Sequence, residues 1–175
     1  MNDINADEEY RNRVKANYEF STWAGQTRAG GADVRLTDVR LDPEALKGWK
    51  LEESEELPGS KQRREIRYIY ASHENSKHRL VLTTAECNSV LEAHENLIDV
   101  VMTYMAPRLP RCETRGLQLG DICFGSHGEL NLSLIFARFN ILAEIKNAGT
   151  EATAVDDFAR AVDAALLDHY SRRTS

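Results

Sequence analysis

Hydrophobic and polar positions alternate along much of this chain, and twice the alternation gives way to helical spacing. Trp49 and Leu51 alternate with Lys50 and Glu52. In "REIRYIYAS", Ile66, Tyr68 and Tyr70 share one side of an extended chain, and Arg67 and Ile69 share the other. In "HRLVLTTAEC", Leu80, Leu82 and Thr84 fall on one side. A period of two predicts strands with one face buried. Val34, Leu36, Val39 and Leu41 also begin as alternation, closed by Asp42-Pro43, which opens a short helical turn. Pro58-Gly59 reads as a turn and "HENSK" as a hairpin loop.

From Ser89 the period changes. Val90, Leu91, His94, Leu97, Ile98, Val101, Met102 and Met105 form one helical stripe. Ser89 and Glu92 fit a capping box at its start, and Pro107 and Pro110 end it. The period of two then returns. Leu117, Leu119, Ile122 and Phe124 make one run, broken at Gly120-Asp121 and followed by a turn over residues 125–128. Leu130, Leu132, Leu134 and Phe136 make the next. Ile141, Ala143 and Ile145 alternate with Leu142, Glu144 and Lys146, which puts the two charges on a solvated or edge face. A reversal near Phe139-Asn140 joins these last two strands, since Asn tolerates the left-handed conformation of a turn. The closing run is helical. Val155, Phe158, Ala159, Val162, Ala165, Leu166 and His169 face inward, Thr153 and Asp156 resemble a cap pair, and Arg172 and Arg173 lie just beyond, near the negative end of the helix dipole.

Residues 1–32 read as an arm. Asp7 to Phe20 suits a short helix touching apolar surface through Tyr10, Val14 and the Ala16–Tyr18 segment. The stretch from Trp23 is loop by its glycines, and packing through Trp23 or Phe20 is the plainer reading of the whole arm. Residues 33–175 read as a single α+β domain, a mainly antiparallel sheet with packed helices in the order β-β-β-α-β-β-β-α. Its two halves look like one unit used twice.

That order of elements, from Val34 to Tyr170, resembles the PsbP-like α/β sandwich superfamily, which includes bacterial lipoproteins, transport factors and small effector chaperones. The resemblance implies a non-enzymatic adaptor that binds other macromolecules. It carries no functional residue across, because no motif matches.

Composition narrows the function classes. The chain has 175 residues, 42% of them hydrophobic, enough for a sizeable core. A formal net charge of −6 argues against bulk nucleic-acid binding and suits a basic protein partner. No apolar run approaches the roughly 20 residues of a bilayer span. The acidic, polar start is unlike a secretory signal, so a cytoplasmic location is expected unless a signal has been removed. Three cysteines at wide spacing, Cys87, Cys112 and Cys123, leave at least one unpaired and read as reduced thiols.

Candidate chemistry is sparse. "HENLI" places Ile98 where a zinc-protease helix needs its second histidine, so His94 reads as a core-edge histidine with one hydrogen bond. His73 and His78 flank a polar loop. Cys123 and His127 are the best pair for a metal, but they lack partners. Cys87 precedes a helix N-terminus, where thiol acidity can be enhanced. About two turns separate it from His94, roughly 10 Å, too far for proton transfer, and a small buried residue is the plainer reading. The run Glu52, Glu53, Glu55 and Glu56 is the densest acidic stretch. It either docks a basic partner or forms a solvated edge pairing with "KQRREIR", Lys61 to Arg67. Neither a phosphate loop nor a nucleophile elbow is present. The expected function is a protein-binding adaptor or immunity-type inhibitor with no cofactor and no catalytic residue. The competing class is a small-ligand carrier or enzyme built around Glu86, Cys87, His94 and His127.

Overall fold

The computed structural model describes residues 3–26, 34–39, 41, 46–58, 64–104 and 108–174. The expectations placed on Asp42-Pro43, Gly59, residues 61–63, Met105 and Pro107 lie outside them. The described residues form a six-stranded antiparallel sheet with three α-helices. In chain order these are α1 (Asp3–Asn17), β1 (Trp49–Glu56), β2 (Arg64–Ser72), β3 (Arg79–Glu86), α2 (Val90–Thr103), β4 (Ile122–Gly125), β5 (Ser133–Arg138), β6 (Ile141–Asn147) and α3 (Asp156–Thr174). Across the sheet the order is β1-β2-β3-β6-β5-β4. Short loops make consecutive strands antiparallel neighbours, and the two three-stranded meanders join where β3 pairs β6.

The register sorts side chains onto two faces. On one, Tyr70, Leu80, Leu82, Leu134, Phe136, Ala143 and Ile145 pack with Phe158, Ala159, Val162 and Leu166 of α3. On the other, Ala85, Ile122, Phe124, Ile135, Ala137 and Leu142 pack with Leu97, Ile98 and Val101 of α2, and with Val14, Tyr18 and Trp23 of the arm. Leu91 is exposed, so the buried stripe of α2 is narrower than the sequence suggests.

Three apolar runs are not the strands they resemble. Val34, Leu36, Val39 and Leu41 are all buried, yet Leu36–Asp38 is a 3₁₀ turn. This backbone is held by side chains instead of a ladder. Asn140 Oδ1 accepts from Val34 N–H at 2.7 Å, and the Glu86 carboxylate accepts from Leu36 N–H at 2.9 Å. Leu117 and Leu119 are buried in a loop that precedes β4. Leu130 and Leu132 are exposed, and β5 starts only at Ser133. Here the buried residue is the polar Asn131, bonded to Arg115 at 2.9 Å and to Asp156 at 2.7 Å. Asp156 is thus engaged by Asn131, where the sequence suggested a cap pair with Thr153.

The cysteines also depart from expectation. Cys112 and Cys123 form a disulfide with their Cα atoms 5.4 Å apart. Residues 110–111 run beside β4, with Gly125 N–H donating to Pro110 O at 2.9 Å and Arg111 bridging Phe124. That alignment brings the two cysteines together, which spacing in the chain cannot reveal. The helix α3 runs to Thr174, so Arg172 lies within its last turn, paired to Asp168.

The turn between β5 and β6 is the most connected point. Phe139, not Asn140, takes the left-handed conformation, with φ 55°. Arg138 makes two 2.7 Å hydrogen bonds to Asp163 of α3, both side chains largely buried. Burial opposes the Arg138 charge, but Asp163 and Asp121 more than restore it and raise its pKa. Truncating one partner strands a buried charge. Asp163→Ala is expected to lower the unfolding free energy by about 3 kcal/mol, with a matching drop in the urea midpoint and an unchanged m-value.

Candidate functional site

The junction of β3 with α2 holds four of the residues singled out by sequence, Glu86, Cys87, Ser89 and Glu92. Ser89 caps α2 by accepting from Glu92 N–H at 3.0 Å. Glu92 reaches back to Asn88 N–H at 2.8 Å, one residue earlier than in a standard capping box. Alternation continues past the end of β3 and sends Glu86 and Cys87 apart. Glu86, 3% exposed, faces the 34–41 segment and binds the backbone of Leu36 and the guanidinium of Arg35. Cys87 faces α2, where Asn96 donates to its sulfur at 3.3 Å. Burial pushes the Cys87 thiol up to about 11 despite that bond, so it carries almost no thiolate at neutral pH.

His94 lies farther along α2, completely buried, with Trp23 and Phe20 of the arm against its ring at 5.4 and 6.5 Å between centroids. The single hydrogen bond expected of it is absent. Neither ring nitrogen has a partner among the described residues. Burial lowers its pKa to about 4, with Glu95 opposing the shift. His127 is exposed in the loop between β4 and β5. The four side chains of the proposed enzyme-like site therefore occupy four separate environments: a backbone clamp, a buried thiol, an aromatic pocket and solvent. The Cys123–His127 metal pair fails outright, because Cys123 is half of the disulfide. Among the described residues no group of three His, Cys, Asp or Glu side chains is placed to hold a metal ion.

The acidic run occupies β1, one edge of the sheet. A bulge between Leu51 and Glu53 breaks its alternation, so Glu53 and Glu55 fall on the α2 side and Glu56 on the α3 side. Three of the four carboxylates are already engaged. Glu52 pairs with Arg79 at 3.2 Å, Glu55 with Arg67 at 2.5 Å and Glu56 with Arg64 at 3.1 Å. Glu53 has no ion pair shown among the described residues. This is the cross-strand pairing anticipated between the acidic and basic runs. Exposed pairs of this kind add little stability, but they fix strand register.

The neighbouring surface is more open. Helix α2 packs over β5 and β6, and α1 packs on α2. The same face of β1–β3 is left partly exposed. Ile69 pairs with Val81 at its centre, flanked by Ala71 and Thr83. Lys50, Glu53, Glu55, Arg67 and Lys146 form its rim. Toward α2, Tyr104 donates to Glu144 at 2.7 Å, and Lys146 lies 2.8 Å from the same carboxylate. Burial and this hydrogen bond both raise the Tyr104 pKa, keeping the phenol protonated. Glu144 and Lys146 thus lie in the interior of the sheet, on a half-covered face, and not at an edge.

A cleft of about 600 Å³ opens near the start of α3, lined by Arg115, Leu117, Asn131, Asp156, Asp157 and Arg160. Several of its polar groups bond one another. Arg115 donates to Asn131, Asn131 to Asp156, and Arg160 to Asp157 at 2.8 Å. Asn140 was read from sequence only as a turn residue, and Arg138, Asp163 and Asp121 were given no partner. Polar residues inside the most apolar segment, Phe136 to Gly149, were the signal that could have found the first two. No family model, no curated protein and no solved structure matches this chain.

A thiol reagent at pH 8 is expected to leave the native, unreduced protein unmodified. In denaturant it should add one label per chain, at Cys87, and after reduction three. Rapid native labelling, counted by intact mass, would contradict the burial of Cys87, and three labels without reduction would contradict the disulfide.

Proposed function

We propose that the protein is a non-catalytic binding module that takes another protein on the open face of β1–β3. The observation carrying this reading is the half-exposed Ile69–Val81 pair at the centre of a sheet face, ringed by Lys50, Glu53, Glu55, Arg67 and Lys146. An apolar centre with a charged rim is the usual anatomy of a recognition surface. The rim carries both signs, so it selects register more than net charge. The overall charge of −6 steers basic proteins toward it from a distance. Direct strand addition to β1 fits less well, since a bulge and paired glutamates are devices that close an edge.

The order of elements that resembles the PsbP-like sandwich supports an adaptor role, and with it the reading of the two halves as one unit used twice. The competing reading, an enzyme or small-ligand carrier, draws no support from Cys87, His94 and His127, whose environments are unrelated. No helix among the described residues is long and apolar enough to cross a membrane. The Cys112–Cys123 disulfide removes the reduced-thiol argument for a cytoplasmic location.

A photo-crosslinking side chain at Val81 tests the surface, with Leu167 on the exposed side of α3 as control. In the cells the protein comes from, the Val81 position is expected to give a discrete adduct with one protein, lost in an Ile69→Glu background, and the Leu167 position none. Adducts of equal yield from both positions, or none from Val81, would argue against this face.

A further inference from the structure

We propose that the N-terminal arm, residues 3–26, is an acid-released strap: protonation of His94 on α2 unseats Trp23 and the helix that precedes it. The inference stands on its own geometry, whatever protein the open sheet face receives.

The arm is attached through few apolar side chains. Of its described residues, Val14, Tyr18 and Trp23 are buried, Phe20 is half-buried, and Tyr10 is 41% exposed. The rest of the seat is polar. Lys15 and Arg11 pair with Glu95 of α2 at 2.6 Å each, and Arg11 also pairs with Asp99. The Tyr18 hydroxyl accepts from Leu109 N–H at 2.8 Å, and Arg108 and Arg111 donate to the backbone of Asn17 and Tyr18. A segment with so few buried apolar contacts belongs to the low-stability end of a fold and can open alone.

His94 sits under the middle of this seat. The aromatic rings against it, Trp23 and Phe20, both belong to the arm, and Trp23 also packs on Phe124 of β4. The docked arm gives the imidazole no hydrogen-bond acceptor among the described residues. A neutral ring bears this at modest cost. A charged ring does not, because burying an unpaired charge is far costlier than burying a dipole. Of the other charged groups around the seat, Glu95 favours the charged ring, but burial outweighs it. Arg11 and Lys15 from α1 are cations, Lys15 lying over the Phe20 ring at 4.8 Å. Glu95 and Asp99 of α2 are committed to those cations. Glu19 lies near Arg111, and Asp121, from the loop before β4, is bonded to Phe139 N–H. Burial opposes the charge on Glu95, but hydrogen bonds from Lys15 and Arg11 prevail and hold its carboxyl below the ordinary range. Acid therefore reaches the strap through His94 before it protonates Glu95.

The direction follows by linkage. Undocking restores the imidazole to its ordinary 6.5, whereas the docked arm holds it at about 4. The open state binds the extra proton, so docking is complete above pH 7. It weakens as pH falls from 6.5 toward 4, about tenfold per unit, and levels off below.

Hydrogen exchange on the full chain tests this. Between pH 7.5 and 5.0, protection of the amides of residues 14–23, corrected for intrinsic rates, is expected to fall about 30-fold, while β3 and β6 keep theirs. In His94→Leu, or in His94→Gln should the first not fold, the fall is expected to disappear. Equal protection at both pH values overturns the proposal, as does a fall that survives the substitution or one shared by the whole sheet. NMR of the unaltered protein gives an independent check. A His94 imidazole titrating in the docked chain near 6.5 with no loss of arm protection likewise overturns it.

Discussion

Three consecutive residues, Arg138, Phe139 and Asn140, hold the architecture together at the turn between β5 and β6. Arg138 grips Asp163 and so anchors α3 to the sheet. Phe139, in the left-handed conformation, donates its N–H to Asp121 at 2.9 Å and stacks on Tyr170 of α3 with 4.4 Å between ring centres. Asn140 is 1% exposed and fully bonded. Its amide nitrogen donates to Val34 O and Cys87 O, its amide oxygen accepts from Val34 N–H, and its own carbonyl accepts from Cys87 N–H. One turn thus ties the last helix, the segment before β1, the β3–α2 junction and the loop before β4. Buried polar networks of this kind rigidify a core only when every member is satisfied, and here each amide atom of Asn140 is.

The two faces of the sheet follow from this anchoring. With α3 pinned at Arg138, the apolar alternation of β2, β3, β5 and β6 is covered on one side and reinforced by Glu86 and Asn140 holding residues 34–36. The opposite side has α2 over β5 and β6 and the arm beyond it, toward β4. No described helix remains for β1–β3, so Ile69 and Val81 stay half-exposed. The uneven coverage is a consequence of two helices lying side by side on one end of a six-stranded sheet.

The edges are treated differently as well. The outer side of β4 is flanked by residues 110–111 and stapled by the Cys112–Cys123 disulfide. At β1 the protection is a bulge and a ladder of Glu–Arg pairs reaching β2 and, through Glu52, β3. Such features close an edge, and the same Glu–Arg pairs fix the register of β1 on β2.

What depends on neighbours a few residues apart is legible in the chain alone. The period of two in Ile66–Tyr70 and Leu80–Thr84, the helical stripe from Val90, and the Ser89 cap are all present as expected, because side-chain period and capping are local. The apolar arm residues Val14, Tyr18 and Trp23 were legible for the same reason. Alternation misled at Val34–Leu41, Leu117–Leu119 and Leu130–Leu132, where burial or exposure is set by side chains far away in the chain. Folding alone brings together the partners separated by many residues: Arg138 with Asp163, Asn140 with Val34, Cys112 with Cys123, and Trp23 over His94. Period reports which face a residue occupies, and carries no information about what lies opposite. A buried arginine, a clamped backbone and a histidine without a hydrogen bond all take their character from that opposite surface.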